Sequence, residues 1–176
     1  CHAGEHTNAL GIVLTGSVTI ESDDIFGNRS VLDKVGPGQV FAETYACVPN
    51  EPMLVNVAAA ENCTVLFLKT AQILSPCAVN CRHHGKLIEN LLLVSAQKNL
   101  SLSRRIFHTA PKTIRGRLIS YLSFQAIREN SDSFTIPFNR QQLADYLSVD
   151  RSALSKEMGK MRDEGILNFS KNHFEL

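Results

Sequence analysis

The spacing of apolar positions divides the chain into stretches with different periods. Up to about residue 72, short β-rich runs alternate with turn signals. "GIVLTGSVTI" (Gly11–Ile20) has a mid-run glycine, "IFGNRSVLDKV" (Ile25–Val35) sets Gly27-Asn28 between extended pieces, and "VGPGQVF" (Val35–Phe41) is a turn with two glycines and a proline. "MLVNVAAAENCTVLFL" (Met53–Leu68) adds two more short runs around Glu61-Asn62. Closely punctuated strands of this kind predict an antiparallel barrel or roll. From about His83 to His108 the period lengthens. Ile88, Leu92, Ser95, Asn99, Leu102 and Ile106 recur at alternating steps of four and three, a heptad-like seam, and Leu93, Leu100 and Phe107 mark a second stripe. The pattern predicts one long helix with two apolar faces, one against a twin helix and the other against the strand domain. Asn99 would then fix the register of a homodimer. A helix buried within a single domain is the plainer alternative.

Beyond the long helix, Pro111 ends it or opens the next, and "KTIRGRLISYLSFQAIREN" (Lys112–Asn130) repeats Ile114, Leu118, Leu122 and Ala126 at i+4 spacing. "NSDSFTIPF" (Asn130–Phe138) reads as a polar turn and a short strand. "NRQQLADYLSVDRSALSKEMGKMRDEGIL" then holds two helices with almost no chain between them. Asn139 is placed to cap the first, with Gln142 completing a capping box and Leu143, Tyr146 and Leu147 on its inner side. Ser148-Val149 make the turn. Asp150 caps a second helix whose inner side is Leu154, Met158 and Met161 and which closes at Gly165. Ala144 is small where the two helices cross. "ILNFSKNHFEL" (Ile166–Leu176) reads as a two-stranded wing around Lys171-Asn172.

A helix-turn-helix lays its second helix in the DNA major groove with its N-terminal residues at base edges, while the first helix crosses the backbone. Arg151, Ser152, Ser155 and Lys156 share the outward face of the second helix, and Arg140 and Gln141 open the first near phosphates. These are DNA-contact candidates because cationic side chains reach guanine acceptors or phosphate oxygens, and hydroxyls serve either. Any helical hairpin has a polar outer face. The short turn, the small crossing residue, the two caps and the following wing distinguish this one.

Charge supports that assignment modestly. The net charge is only +1, but residues 100–176 hold 12 Lys+Arg against 8 Asp+Glu, leaving 6 against 9 for the first 99 residues. With 176 residues, 44% of them hydrophobic, the composition is that of a globular protein. No apolar run reaches the roughly 20 residues of a membrane span, so a soluble protein is expected, and the cysteine usage points to a reducing cytoplasm. The five irregularly spaced cysteines do not suggest a disulfide framework. The first residues lack the order of a signal peptide, and the start at Cys1 reads as a cut end within a domain.

Taken together, the β-rich stretch, the long helix, "RGRLISYL", the two-helix unit and the wing resemble the Crp/Fnr family of bacterial transcription regulators. "LTGSVTI" and "GPGQVFAE" are similar to that family's sensor motifs. The resemblance implies an α+β chain in three parts. Residues 1–82 would form an effector-sensing, jelly-roll-like antiparallel double-stranded β-roll, N-terminally truncated. Residues 83–109 would form a long dimerisation helix, and residues 110–176 a winged helix-turn-helix. It further implies a homodimer on a pseudo-palindromic site in double-stranded promoter DNA, and contact with RNA polymerase. In cyclic-AMP-binding members a Gly-Glu pair and, ten residues on, an Arg-Ser pair hold the ribose and the cyclic phosphate. Glu43 matches the ribose-binding glutamate, but the phosphate-binding pair is Met53-Leu54 here. Without a bidentate arginine the strong charge-assisted bonds to phosphate are missing. Cyclic AMP is therefore not expected, and Glu43, Thr44, Met53 and Leu54 are the effector-contact candidates, for a less anionic or more apolar ligand if there is one. The family's frequent recognition-helix glutamate and arginine are Ser152 and Lys156 here, and its turn glycine is Ser148.

"SPCAVNCRHHGKL" (Ser75–Leu87) raises a metal alternative, since Cys77, Cys81 and His84 at steps of four and three fit one helical face. Buried cysteines beside surface histidines are the plainer reading, and a redox-sensing thiol pair lies between the two. His2, His6, His83 and His84 are nominal axial ligands for haem. No P-loop, GxGxxG, GxSxG or HExxH motif is present, so an enzyme is not expected. A small hydrolase, or a cyclic-nucleotide-binding-like interaction module without DNA binding, remain the alternative readings.

Overall fold

The computed structural model describes residues 1–23, 26, 29–75 and 82–176. The Gly27-Asn28 turn, Cys77 and Cys81 lie outside the described residues. The chain forms two compact units, residues 1–96 and 97–176, with the division falling inside the longest helix.

The first unit runs β1 (Ala9–Thr15), β2 (Val18–Asp23), β3 (Arg29–Val35), β4 (Val40–Phe41), α1 (Glu43–Cys47), β5 (Asn56–Ala59), β6 (Thr64–Lys69) and α2 (Thr70–Leu74). The strands make two antiparallel sheets, β4-β1-β6 and β3-β2-β5. Val13, Val18, Val35 and Phe41 from both sheets form one core cluster. The mid-run glycine, Gly16, lies between β1 and β2 with φ 71°, and Gly11 within β1 has a packing reason: a Cβ there would run into the Phe41 ring of the neighbouring strand.

Helix α3 spans Arg82–Thr109. In the first unit its Leu87, Leu91 and Val94 pack against Leu10, Val40 and Ile73, and the His84 imidazole contacts the Ile73 carbonyl. This corrects the two-stripe assignment: the side facing the roll is neither the seam nor the Leu93-Leu100-Phe107 stripe. The expected stripes mark outward surface instead. Leu92, Leu93, Leu100, Leu102, Ile106 and Phe107 are all exposed. A step-of-three-and-four pattern reports which positions are apolar, and not which neighbour covers them.

The second unit continues with α4 (Ile114–Glu129), β7 (Ser133–Thr135), α5 (Arg140–Leu147), α6 (Arg151–Asp163), β8 (Asn168–Ser170) and β9 (His173–Glu175). Thr113 caps α4 by accepting from the Gly116 amide at 3.0 Å. Leu118 and Leu122 of α4, Leu143, Ala144 and Leu147 of α5, and Leu154, Met158 and Met161 of α6 are buried with Phe134, Ile136, Leu167 and Phe174 in one core. Each such aliphatic side chain contributes about 1.5–3 kcal/mol on removal from water. The wing has one strand more than its residue pattern predicts. β8 and β9 form the hairpin around Lys171-Asn172, and β7 pairs with the other edge of β9. Asn172 fastens this arrangement: its carbonyl accepts from the Ile136 amide and its side-chain amide donates to the Ile136 carbonyl, both at 2.9 Å.

Candidate nucleic-acid interface

The interface is built on the α5–α6 pair, whose ends are fixed by local chemistry. The Asn139 side chain accepts from the Gln142 amide, and the Gln142 side chain accepts from the Asn139 amide, both at 2.9 Å, a complete capping box. At its other end α5 turns through Ser148, which has φ 55° and ψ 52°, the left-handed conformation. The Val149 amide bonds back to the Ala144 carbonyl at 3.0 Å. Besides these backbone bonds, two arginines supply donors to the last carbonyls of α5. Arg105 donates to the Asp145 and Tyr146 carbonyls at 3.1 and 3.2 Å. Arg117 donates to the Leu147 and Ser148 carbonyls at 3.0 and 2.9 Å, and to the Pro111 carbonyl at 2.8 Å. Cations at a helix C-terminus also suit its dipole. Neither arginine was singled out by spacing, because the α5 and turn carbonyls they serve lie 30 or more residues away.

Asp150 opens α6. Its carboxylate accepts from the Ala153 amide at 2.8 Å and from the Ser152 hydroxyl at 2.5 Å. The Ser152 hydroxyl and these backbone amides hold it below the usual carboxylate range. On the first turns of α6 the structure brings Arg151, Ser152, Ser155 and Lys156 together, all exposed. Arg151 and Lys156 have no ion-pair partner among the described residues. The Ser155 hydroxyl donates to the Arg151 carbonyl at 2.9 Å. With both serine protons engaged inside the protein, what the hydroxyls offer outward is acceptor capacity.

The two candidates on α5 differ. Gln141 is exposed and donates to the Asp145 carboxylate at 2.8 Å. Arg140 is half-buried: its guanidinium lies 5.0 Å from the Phe169 ring centroid, bonds the Lys171 carbonyl at 3.3 Å and contacts the Met158 sulfur. Burial, and then the nearby Arg151, lower its pKa. In this structure Arg140 ties the wing to the helix pair instead of pointing outward. The far end of α6 is held by Arg115 of α4, which pairs with Glu157 at 2.6 Å and Glu164 at 2.7 Å. There Gly165 takes φ 73° just past the cap.

In the first unit the effector candidates separate by exposure. Glu43 is buried at the start of α1, and Met53 is buried at 2%, with its amide donating to the Glu5 carbonyl at 2.9 Å. Thr44 is on the surface and Leu54 is 69% exposed. Of the metal alternative only His84 is described, and no group of three or more His, Cys, Asp or Glu suited to a metal occurs among the described residues.

Comparison with known proteins agrees with this arrangement. Residues 1–80 match the cyclic nucleotide-binding domain, and residues 116–176 match the Crp-like helix-turn-helix domain. The chain is similar to the cAMP-activated global transcriptional regulator CRP of Haemophilus influenzae, at 24% identity over 178 residues, covering 95% of this chain and 75% of that protein. Among solved structures it resembles OCPA-complexed CprK, with TM-score 0.66, 15% identity, and 98% and 79% of the two chains covered. It also resembles the c-di-GMP responsive global regulator CLP of Xanthomonas campestris, with TM-score 0.57, 17% identity, and 100% and 87% covered. A cyclic nucleotide-binding-type domain, a long helix and a Crp-like helix-turn-helix in this order make the chain a member of the Crp/Fnr family of transcription regulators.

Proposed function

We propose that this regulator binds pseudo-palindromic promoter DNA in the cytoplasm as a homodimer paired through α3, with α6 of each protomer in a major groove. The observation that carries the reading is the group of exposed side chains on the first turns of α6, on a helix pair capped at every end. Arg151 and Lys156 supply donors for guanine or phosphate oxygens, and Ser152 and Ser155 add hydroxyls. Gln141 is close enough in sequence to the start of α5 to meet the backbone. The exposed seam through Leu102 and Ile106, 63% and 66% exposed, supports pairing of α3 with a second copy. Contact with RNA polymerase at the promoter belongs to the same reading.

The signal received by the first unit is not cyclic AMP. In place of an arginine facing a cyclic phosphate stands Met53, an apolar side chain already buried. Glu43 remains, so a less anionic ligand, or none, fits these positions better. A signal that favours one arrangement of the paired α3 helices would re-space the two α6 helices, whose centres must lie about 34 Å apart to meet successive major-groove turns.

The test is fluorescence anisotropy of a labelled promoter duplex with Arg151→Ala/Lys156→Ala. The double variant is expected to lose about 30-fold or more in affinity, roughly 2 kcal/mol, with a shallower dependence on salt. Full affinity in a folded double variant would remove α6 as the reading element.

A further inference from the structure

The last turns of α3 grip the end of α5 through two side chains, and one of them, Arg105, is exposed. The Arg105 Nε donates to the Tyr146 carbonyl at 3.2 Å and its Nη2 donates to the Asp145 carbonyl at 3.1 Å. The same guanidinium lies 6.0 Å from the Tyr146 ring centroid. A turn further along α3, His108 bonds the Tyr146 hydroxyl at 2.9 Å. Tyr146 therefore meets α3 through its backbone, its ring and its hydroxyl. The residues that do this, and the whole helix-turn-helix, lie in the second unit.

Position on α3 gives Arg105 its meaning. At 3.6 residues per turn it lies roughly 60° around the helix from Leu102 on one side and roughly 60° from His108 on the other. Leu102 and Ile106 are exposed, whereas His108 is buried. Arg105 thus stands between the apolar seam and the side of α3 that meets α5. Stability alone does not account for its contacts. Both bonds are exposed to solvent, so water replaces the guanidinium at little net cost, and the Asp145 carbonyl also accepts from the Ser148 amide at 3.2 Å. What the guanidinium supplies is geometry, a planar fork with fixed donor directions set on two successive carbonyls at a helix C-terminus. Those carbonyls lie just before the turn at Ser148, where the Val149 amide returns to the Ala144 carbonyl at 3.0 Å and Asp150 caps α6. Fixing Tyr146 to α3 therefore fixes the start of α6, and with it Arg151.

We propose that Arg105 is a positioning residue that couples α3 to α6 and so sets the spacing of the two α6 helices in the dimer. The assignment rests on the docking proposed above, in which α3 pairs across Leu102 and Ile106 and each α6 enters a major groove. Without Arg105, the His108 bond is what remains between α3 and Tyr146 among the described hydrogen bonds, and Arg117 holds the turn from α4. A single bond leaves α5 and α6 free to pivot, so each half of the dimer still reads its half-site while the pair no longer insists on one separation.

The test compares spacing preference in the parent chain and two variants by fluorescence anisotropy. The probe is a labelled duplex with two half-sites, recovered from a random-sequence pool by the full 176-residue chain. Beside it are the same duplex with two extra central base pairs and a duplex with one half-site. Two added base pairs turn one half-site by about 70° relative to the other and move it about 7 Å. The parent should prefer the original spacing by about 30-fold. Arg105→Gln should bind the original duplex about tenfold more weakly and the single half-site within about twofold of the parent, so that the spacing preference falls to about threefold. Arg105→Lys, which reaches one carbonyl and not both, should fall between. A role in stability alone would weaken all three duplexes alike and lower Tm, whereas Tm should stay close to the parent value here, and sedimentation should show a dimer for each variant. A parent-like spacing preference in both variants, equal losses on single and paired half-sites, or loss of the dimer would each overturn the assignment. A parent chain that bound one half-site as tightly as two would remove the docking itself, and the assignment with it.

Discussion

Replacing Ser148 with glycine should stabilise the second unit. Ser148 has φ 55° and ψ 52° at the turn between α5 and α6, a conformation that costs an L-residue about 1–2 kcal/mol. Its side chain is exposed and makes no hydrogen bond among the described residues, while its carbonyl accepts from Arg117 and its amide donates to Asp145. Those backbone bonds survive the change. Glycine removes the steric cost but returns about 0.5–1 kcal/mol through its greater freedom in the unfolded chain. The net gain is about 0.5–1 kcal/mol, which for a unit of this size raises Tm by roughly 2–8 °C. Differential scanning calorimetry of the full chain, following the transition of residues 97–176, measures it. DNA affinity should not change, because the caps at Asn139 and Asp150 and the Arg117 bonds still position α6. A Tm equal to or below that of the parent would refute the reasoning, since backbone strain in the left-handed turn would then not govern stability at this position.

Two further outcomes follow from exposure and burial. Leu102→Glu with Ile106→Glu places charges on the exposed seam of α3, and sedimentation should detect monomer where the parent chain is a dimer; an unaltered dimer would relocate the interface. His108 is buried at 3%, and its folded-state pKa is lowered from 6.5 by desolvation, and then by Arg104. Its stabilising contribution is therefore present above pH 6.5 and is lost as pH falls from there through the folded-state value, where the unfolded chain takes up the proton first. Tm should decline over that window, and the NMR titration of the His108 ring should have a midpoint below 6.5; a midpoint above it would contradict the burial argument.

How much of this was legible beforehand depended on whether the cause was local. The caps at Asn139 and Asp150, the turn at Ser148-Val149 and the glycine past α6 are set by contacts within a few residues, and their residue types announce them. The inner faces of α5 and α6 follow from the helical period, and Leu143, Leu147, Leu154, Met158 and Met161 are all buried. Arg140 shows where such reading stops. Its place at the head of α5 suits a phosphate contact, but the Phe169 ring and the Lys171 carbonyl come from the wing about 30 residues on, and they draw the guanidinium inward. The faces of α3 were equally illegible, because Leu87, Leu91 and Val94 owe their burial to strands and a short helix elsewhere in the chain. The short strand after α4 was expected, but its pairing with the wing was not legible for the same reason, since β7 is more than 30 residues from β9.

The arrangement on α6 also bears on which bases the regulator reads. Arg151 and Lys156 are donors only, and in the proposed docking they would select guanine O6 and N7 or a phosphate. A glutamate at position 152 would bring a charged acceptor suited to the cytosine amino group. Ser152 is a neutral acceptor, and its own proton is held by the Asp150 carboxylate at 2.5 Å. Ser155 is in the same state, with its proton on the Arg151 carbonyl. In the proposed docking the two hydroxyls would meet base edges as acceptors for an amino group of cytosine or adenine, with less discrimination than a carboxylate. Donor-driven contacts to guanine should then dominate the half-site, with looser preference at the positions facing the two serines. Restoring the charge with Ser152→Glu would place a second carboxylate beside Asp150 and remove the hydroxyl that bonds it, so a sharpened preference for cytosine would come with a weaker cap at the start of α6.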